Sequence, residues 1–441
     1  MLKGLQNIHF SFGEQGLTYL AGIPIIYQFA KSLRLRRFFQ RTIHLSHRNT
    51  YYHWADLILS HFYYTIAGIE RLDHLTTLKY NGLLPPLTGL PRLPGTRAMR
   101  DFLLGLTPQD LIQIEKVHDL IRDRIFQYPN VLTTAIVDSD SSVVTVYGHQ
   151  ELAEVGYNPT HKGKRSYRPL FATESHLKIS LKGELRPGNF SDKTEIVPFI
   201  KSALEKIPST IEISRIRIRA DAGFYCWPVI NFCDQERYGY VIVAQVTSPI
   251  KRELWGLKYH IFNHEEKLAV AEFQYQPYGW KQPHRFVVIR YTLPIETENR
   301  QRALFTIDRY EYQVFVTNLD LEPENVWYFY KGRTSLEINI KELKLDFFMS
   351  KIPTRKFSSN QAHLQLLLLD YDLFRWFQIL CLPPQFQSRT LKWIRRNLFI
   401  VPGKFVTPGH KNILQLPKSF TQQHLFQQIY KNAGKVKSLL K

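Results

Sequence analysis

Asp140, Asp221 and Glu337 are the acids whose setting in this chain suits chemistry. Asp140 follows the β-branched run Val131 to Val137, Asp221 closes the run Ile211 to Ala220, and Glu337 lies in helix-like sequence. Ligands of open α/β sheets bind at strand ends, and a carboxylate there, ahead of Gly223 and a helix, can hold a hard cation. Magnesium binds through one or two carboxylates plus substrate phosphate oxygens, so three acids can serve two Mg2+ (or Mn2+) ions. Such a pair activates a water or 3′-hydroxyl and stabilises the leaving oxygen of an in-line displacement. Asp138 competes for the first position. It is two residues from Asp140, so both side chains share a face if the strand runs on, and spacing does not choose between them.

The sequence around Glu337 adds phosphate chemistry. Tyr330, Arg333, Glu337 and Lys344 fall at i, i+3, i+7 and i+14. On one helix at about 100° per residue they form a stripe about 60° wide, with Lys341 beside it. Glu337 can take an ion while Arg333 and Lys344 contact phosphate oxygens. A solvated helix face with i,i+4 pairing would show similar spacing.

Several elements must position these residues. Residues 1 to about 128 read as helical, with Ile25 to Phe39 and His53 to Leu72 apolar at three- and four-residue spacing. Val131 to Val137 and Val143 to Tyr147 read as a hairpin-like pair around Asp138 to Ser142. Further strands are expected at Ser166 to Thr173, His176 to Leu185, Ile211 to Ala220, Tyr240 to Val246 and Tyr312 to Thr317. Helices are expected at Thr194 to Lys206, Phe224 to Gln235, Pro323 to Leu345 (as one helix) and Gln361 to Leu380. Residues 249 to 311, rich in Tyr, Trp and Phe with alternating apolar positions, read as a separate β insertion.

Composition narrows the partner. The 441 residues carry 58 Lys plus Arg against 38 Asp plus Glu, a net charge of +20, which points to a polyanion such as nucleic acid. Leu373 to Lys441 hold twelve Lys or Arg and no Asp or Glu, and the first fifty residues hold seven against Glu14 alone. A catalytic body between two cationic arms is the expectation. No apolar run reaches the roughly 18 residues of a spanning helix, and the start lacks a signal-peptide core. The expectation is a soluble cytoplasmic protein, nucleoid-associated when bound to DNA, with no membrane partner. Cys226, Cys233 and Cys381 are too scattered for a disulfide framework or zinc knuckle. His44, His47, His53 and His61 lack further ligands at metal spacing, and no Walker loop is present.

The Tyr330-x2-Arg333-x3-Glu337-x6-Lys344 spacing resembles the Tyr-Arg-Glu-Lys signature of bacterial insertion-sequence DDE transposases. Other segments resemble the same group: Asp138-Ser-Asp140-Ser-Ser before Val-Tyr-Gly148, Gly156-Tyr-Asn-Pro159 with the basic loop Lys162-Gly-Lys164-Arg165-Ser-Tyr167, and Leu185-Arg-Pro-Gly-Asn189. Arg219-Ala-Asp221-Ala-Gly-Phe224, Phe357-Ser-Ser-Asn-Gln361, Leu382-Pro-Pro and Val401-Pro-Gly403 extend it over nearly the whole chain.

The resemblance implies an α/β fold with a ribonuclease-H-like mixed-sheet core, an all-β insertion, a helical N-terminal domain and a basic C-terminal region. The expected boundaries are 1–128 for DNA-end binding, 129–248 and 312–381 for the core, 249–311 for the insertion, and 382–441 for the basic region. It implies metal-dependent cleavage at transposon ends and strand transfer of the 3′-hydroxyl, with an inactive DNA-binding derivative or a related nuclease as alternatives. Asp140, Asp221 and Glu337 would be the catalytic metal ligands, the hydroxyl pair after Asp140 favouring it over Asp138. Tyr330, Arg333, Lys341, Lys344, Lys162, Lys164 and Arg165 would contact DNA. The implied partners are double-stranded terminal repeats and target DNA, bound by a synaptic homodimer. The wider group holds a flipped base on an aromatic of the insertion, and Trp280, in a turn with Pro277 and Gly279, is the candidate, with Trp255 in reserve. Packing of Trp280 under the insertion's own sheet is the competing reading. Asp370-Tyr-Asp372 is acidic where the group carries a neutral Asn.

Overall fold

Runs of Val, Ile, Phe and Tyr recur through the middle of the chain, and they pair into one large sheet. The computed structural model describes residues 13, 15–46, 51–80, 84–127, 132–190, 195–292, 306–307 and 310–439. The chain forms two compact units: Ile114–Leu345 with Thr354–Arg375, and Met1–Gln113 with Asp346–Pro353 and Trp376–Lys441.

The first unit holds the sheet. Its strands are β1 (Ala135–Ser141), β2 (Leu170–Glu174), β3 (Ile179–Glu184), β4 (Ile216–Ala220), β5 (Gly239–Val243), β6 (His260–Asn263), β7 (Leu268–Tyr275), β8 (His284–Thr292) and β9 (Tyr310–Thr317). They lie in the order β6-β7-β8-β9-β5-β4-β1-β2-β3. β1, β4 and β5 are mutually parallel neighbours, while β2 and β3 continue antiparallel from β1. That 3-2-1-4-5 arrangement of the first five strands is ribonuclease-H-like, with helices α1 (Ile196–Leu204) and α2 (Trp227–Gln235) in the crossovers that parallel pairing requires. Three more helices follow: α3 (Ser248–Gly256), α4 (Pro323–Lys331) and α5 (Thr334–Leu345). Val326 and Trp327 of α4 bury against Val241, Val243, Val270, Val287, Ile289 and Phe315 of the sheet. Each such side chain contributes about 1.5–3 kcal/mol on burial.

Four expectations change. Asp138 to Ser142 do not form a hairpin turn, because β1 runs on through Ser141 and pairs with β2 and β4. Val144–Thr145 instead joins a small sheet with Arg165–Tyr167 and Glu154–Val155. Polar residues can stay in the strand because a partner satisfies them: the Asp138 carboxylate is held by Arg219 of β4. Residues 249–311 begin with a helix, and their strands extend the core sheet, since β8 pairs with β9 from Arg285 to Thr292. Phe286 to Ile289 are completely buried, which requires cover on both faces. The helix expected at Pro323 to Leu345 breaks at Gly332, and Ile25 to Phe39 breaks at Arg34, which has φ 57°. Val131, Thr194, residues 293–305, Lys3, Glu14, His47 and Arg48 lie outside the described residues.

The second unit gathers both cationic ends of the chain into one body in place of two separate arms. Helix Gln423–Lys435 packs on Ile23–Ser32 and buries Ile429 and Ala433. Arg395 is buried, donating to the carbonyls of Thr65, Ile66 and Asp346. Among the described residues no helix is long and apolar enough to cross a membrane.

Candidate active site

Register alone brings the first two acids together. β1 and β4 are parallel neighbours with Ser139 opposite Ala220, so Asp140 and Asp221 come next, side by side at the C-terminal ends of two adjacent strands. Asp221 accepts from the Gly223 amide (3.0 Å) and caps the short turn that leads to α2. Asp140 accepts from the Ser141 amide at 2.8 Å.

The third acid comes from α5, which seats Leu336, Ile340 and Leu343 in the core and leaves Glu337 exposed at its first turn. Arg333, at the α4–α5 break, links the acids. Its Nη2 lies 2.8 Å from Asp140 Oδ2 and its Nη1 3.3 Å from Glu337 Oε1. Burial opposes the Arg333 charge, yet Tyr330, Asp140, Asp221 and Glu337 together hold its pKa above the ordinary range. Asp140 responds oppositely. Burial, then the nearby Asp221 and Glu337 charges, push its carboxyl up to about 7 against the pull of Arg333. Tyr330 packs its ring 4.8 Å from that of Phe315, and burial pushes its phenol up, so it stays protonated. Lys344 is pushed down by burial and held up by Asp140. Lys341 is exposed on the same helix.

The structure therefore brings Asp140, Asp221, Glu337, Tyr330, Arg333 and Lys344 into one electrostatic neighbourhood. Asp138 is instead committed elsewhere, since that carboxylate is fully buried and held bidentate by Arg219 at 2.6 and 2.8 Å, although Arg333 also acts on its charge. Lys162, Lys164 and Arg165 are exposed at the small sheet, joined to β1 through Arg168, whose guanidinium lies 3.4 Å from Ser141 Oγ. Trp280 is half-buried and does not stand free at the turn. Its ring packs 5.4 Å from Tyr225, 5.6 Å from Trp227 and 5.1 Å from His284, leaving Tyr278 fully exposed at the turn and Trp255 exposed on α3. Asp372 is also structural: it accepts from Ser180 N and Oγ and bonds His118. Sequence reasoning does not find the role of Arg219, although Ile216-Arg-Ile-Arg-Ala places two cations on one face of an otherwise apolar strand.

Among the described residues no three His, Cys, Asp or Glu side chains stand close enough to share one ion. The donor set still fits hard cations. It consists of carboxylates from two strand ends and a helix, and their mutual repulsion favours an added positive charge.

A ribonuclease-H-like sheet presenting two strand-end aspartates and a helix glutamate defines the class of metal-using nucleases and polynucleotidyl transferases. The family described as transposase DDE domain group 1 matches residues 2–438, and the chain belongs to that family. It is a DDE transposase, an enzyme of DNA transposition, and such enzymes generally use divalent metals. No curated protein matches the chain. A solved structure similar to it is a piggyBac transposase synaptic complex with hairpin DNA, at 13% identity and TM-score 0.44, covering 88% of this chain and 82% of that one. Another is a Mos1 transposase paired-end complex with left transposon end, at 12% identity and TM-score 0.18, covering 46% of this chain and 65% of that one.

Proposed function

We propose that Asp140, Asp221 and Glu337 hold two Mg2+ (or Mn2+) ions with which this transposase cleaves transposon ends and transfers the freed 3′-hydroxyl. The observation that carries the reading is the convergence of three acids, from segments far apart in sequence, around the single guanidinium of Arg333. When bound, the ions would supply the charge that activates a water or 3′-hydroxyl and stabilises the leaving oxygen. The protein's own groups do the positioning. Arg333 neutralises acids that would otherwise repel one another, Tyr330 offers a protonated phenol, and Lys341 and Lys344 face phosphate oxygens. The resemblance of residues 330–344 to the Tyr-Arg-Glu-Lys signature belongs to this reading.

Double-stranded terminal repeats and target DNA are the proposed partners, held by a synaptic homodimer. Lys162, Lys164, Arg165 and the helical N-terminal residues would contact phosphates, and the protein would act in the cytoplasm, at the nucleoid. Of the domain assignments given from the sequence, DNA-end binding by residues 1–128 and catalysis by the sheet-bearing residues belong to this proposal. Trp280 would offer a flipped base only the part of its ring left open by Tyr225, Trp227 and His284. The test is single alanine substitution of each acid, assayed with end DNA in magnesium. Each variant should lose cleavage and strand transfer while end binding is retained, because phosphate contacts dominate affinity. Wild-type cleavage by Asp221→Ala would sink the assignment.

A further inference from the structure

A helix running unbroken from Pro323 to Leu345 would bond the Arg333 amide to the Phe329 carbonyl, four residues back. Here the Arg333 amide donates instead to Tyr330 O at 2.8 Å. The Phe329 carbonyl accepts from Arg219 Nη1 at 2.6 Å. The rest of that guanidinium is also committed. Nε and Nη2 grip the two oxygens of Asp138 at 2.6 and 2.8 Å, and Nη2 also donates to Ser175 Oγ at 2.7 Å. Ser175 Oγ lies in turn 3.5 Å from Ser335 Oγ, on the first turn of α5. Both members of the ion pair are buried, so neither can turn to water. Gly332 completes the fit, since a Cβ there would collide with Arg219 Nη1.

We propose that Arg219 is a positioning residue: clamped by Asp138, it takes the carbonyl that would continue the helix, fixes the α4–α5 break, and so aims Arg333 and Glu337 at Asp140. It touches neither the acids of the site nor a phosphate. Its effect is on where α5 begins. A lysine in its place can keep the charge opposite Asp138, but as a single point charge it cannot fork to Asp138, Ser175 and Phe329 together. The proposal rests on the reading of Asp140, Asp221 and Glu337 as the catalytic acids, and its decisive measurements do not depend on activity.

The test uses the full chain as Arg219→Lys, Gly332→Ala and the double variant, with Leu181→Ala, a buried β3 residue, as a control for simple destabilisation. Hydrogen–deuterium exchange over residues 334–345 should become about tenfold faster or more in both single variants. End-DNA affinity should hold, while cleavage falls on the order of 10²-fold, as expected for a small misplacement of catalytic groups. Once Arg219→Lys has emptied the space beside Gly332, Gly332→Ala should add little, so the two changes should be non-additive. Unchanged exchange over 334–345 in Arg219→Lys would overturn the proposal, as would simple additivity. So would an equal cleavage loss in Leu181→Ala at matched melting temperature. Failure of the catalytic reading would show elsewhere, as cleavage by Asp221→Ala.

Discussion

Asp138 and Asp140 lie one repeat of the pleat apart, yet their surroundings give them opposite duties. Asp138 is sealed against Arg219. Asp140 stands at the strand end, where burial first and then the neighbouring Asp221 and Glu337 charges push its carboxyl up to about 7. A carboxyl raised from the ordinary value of about 3.9 favours folding while protonated, and that contribution is lost as pH rises through about 7. In EDTA, the melting temperature of the wild type should therefore fall from about pH 4 to above pH 7 more steeply than that of Asp140→Asn. Coincident pH profiles would refute the coupling. Asp138→Ala should behave otherwise: it strands a buried guanidinium and should lower stability by about 3–5 kcal/mol. Denaturant unfolding reads this directly, and a variant as stable as wild type would remove Asp138 from its structural role.

At the scale of elements, the β7–β8 turn is tied down by aromatic packing. Trp280 closes over Tyr225, in the segment between Asp221 and α2, and over Trp227, the first residue of α2. Trp280→Ala should then lower stability by about 3 kcal/mol, the low end for a large aromatic, because the ring is only partly buried. First-nick and later end-processing rates should fall together as folded protein is lost. Selective loss of the later step at unchanged melting temperature would return Trp280 to a DNA-holding role. The alternating patterns that mark β7, β8 and β9 were legible in the sequence. Their union with the core sheet was not, because the β8–β9 register is a long-range pairing that periodicity cannot express.

For the whole molecule, the net charge of +20 should appear as salt-dependent DNA affinity. Neutralising Lys162, Lys164 and Arg165 together should reduce the log–log salt slope by about 2.7, at about 0.9 per phosphate contact. Filter binding or anisotropy between 50 and 200 mM salt, roughly the range over which such effects are large, measures it. An unchanged slope would show that the loop does not meet phosphate. Point substitutions are preferable to truncation after Asp372. The C-terminal segment carries buried Arg395 and Ile429, so cutting it away would unfold the unit it shares with the N-terminal helices.

The sequence by itself determined the chemical inventory: three acids at strand ends and on a helix, a Tyr-Arg-Glu-Lys spacing, and a basic chain. These are local properties, carried by residue type and short separations. Only the tertiary structure decided which of two aspartates faces the other acids, where the helix after Pro323 breaks, and whether Trp280 points outward. Each of those depends on a group from elsewhere in the chain. Arg219 arrives opposite Asp138 through parallel strand register, and the same guanidinium takes the Phe329 carbonyl that local helix formation would have used. Tyr225 and Trp227 arrive at Trp280 from the segment after Asp221. Local sequence sets what each segment can do, and long-range burial and hydrogen bonding select among those possibilities because an unpartnered buried group is too costly to leave.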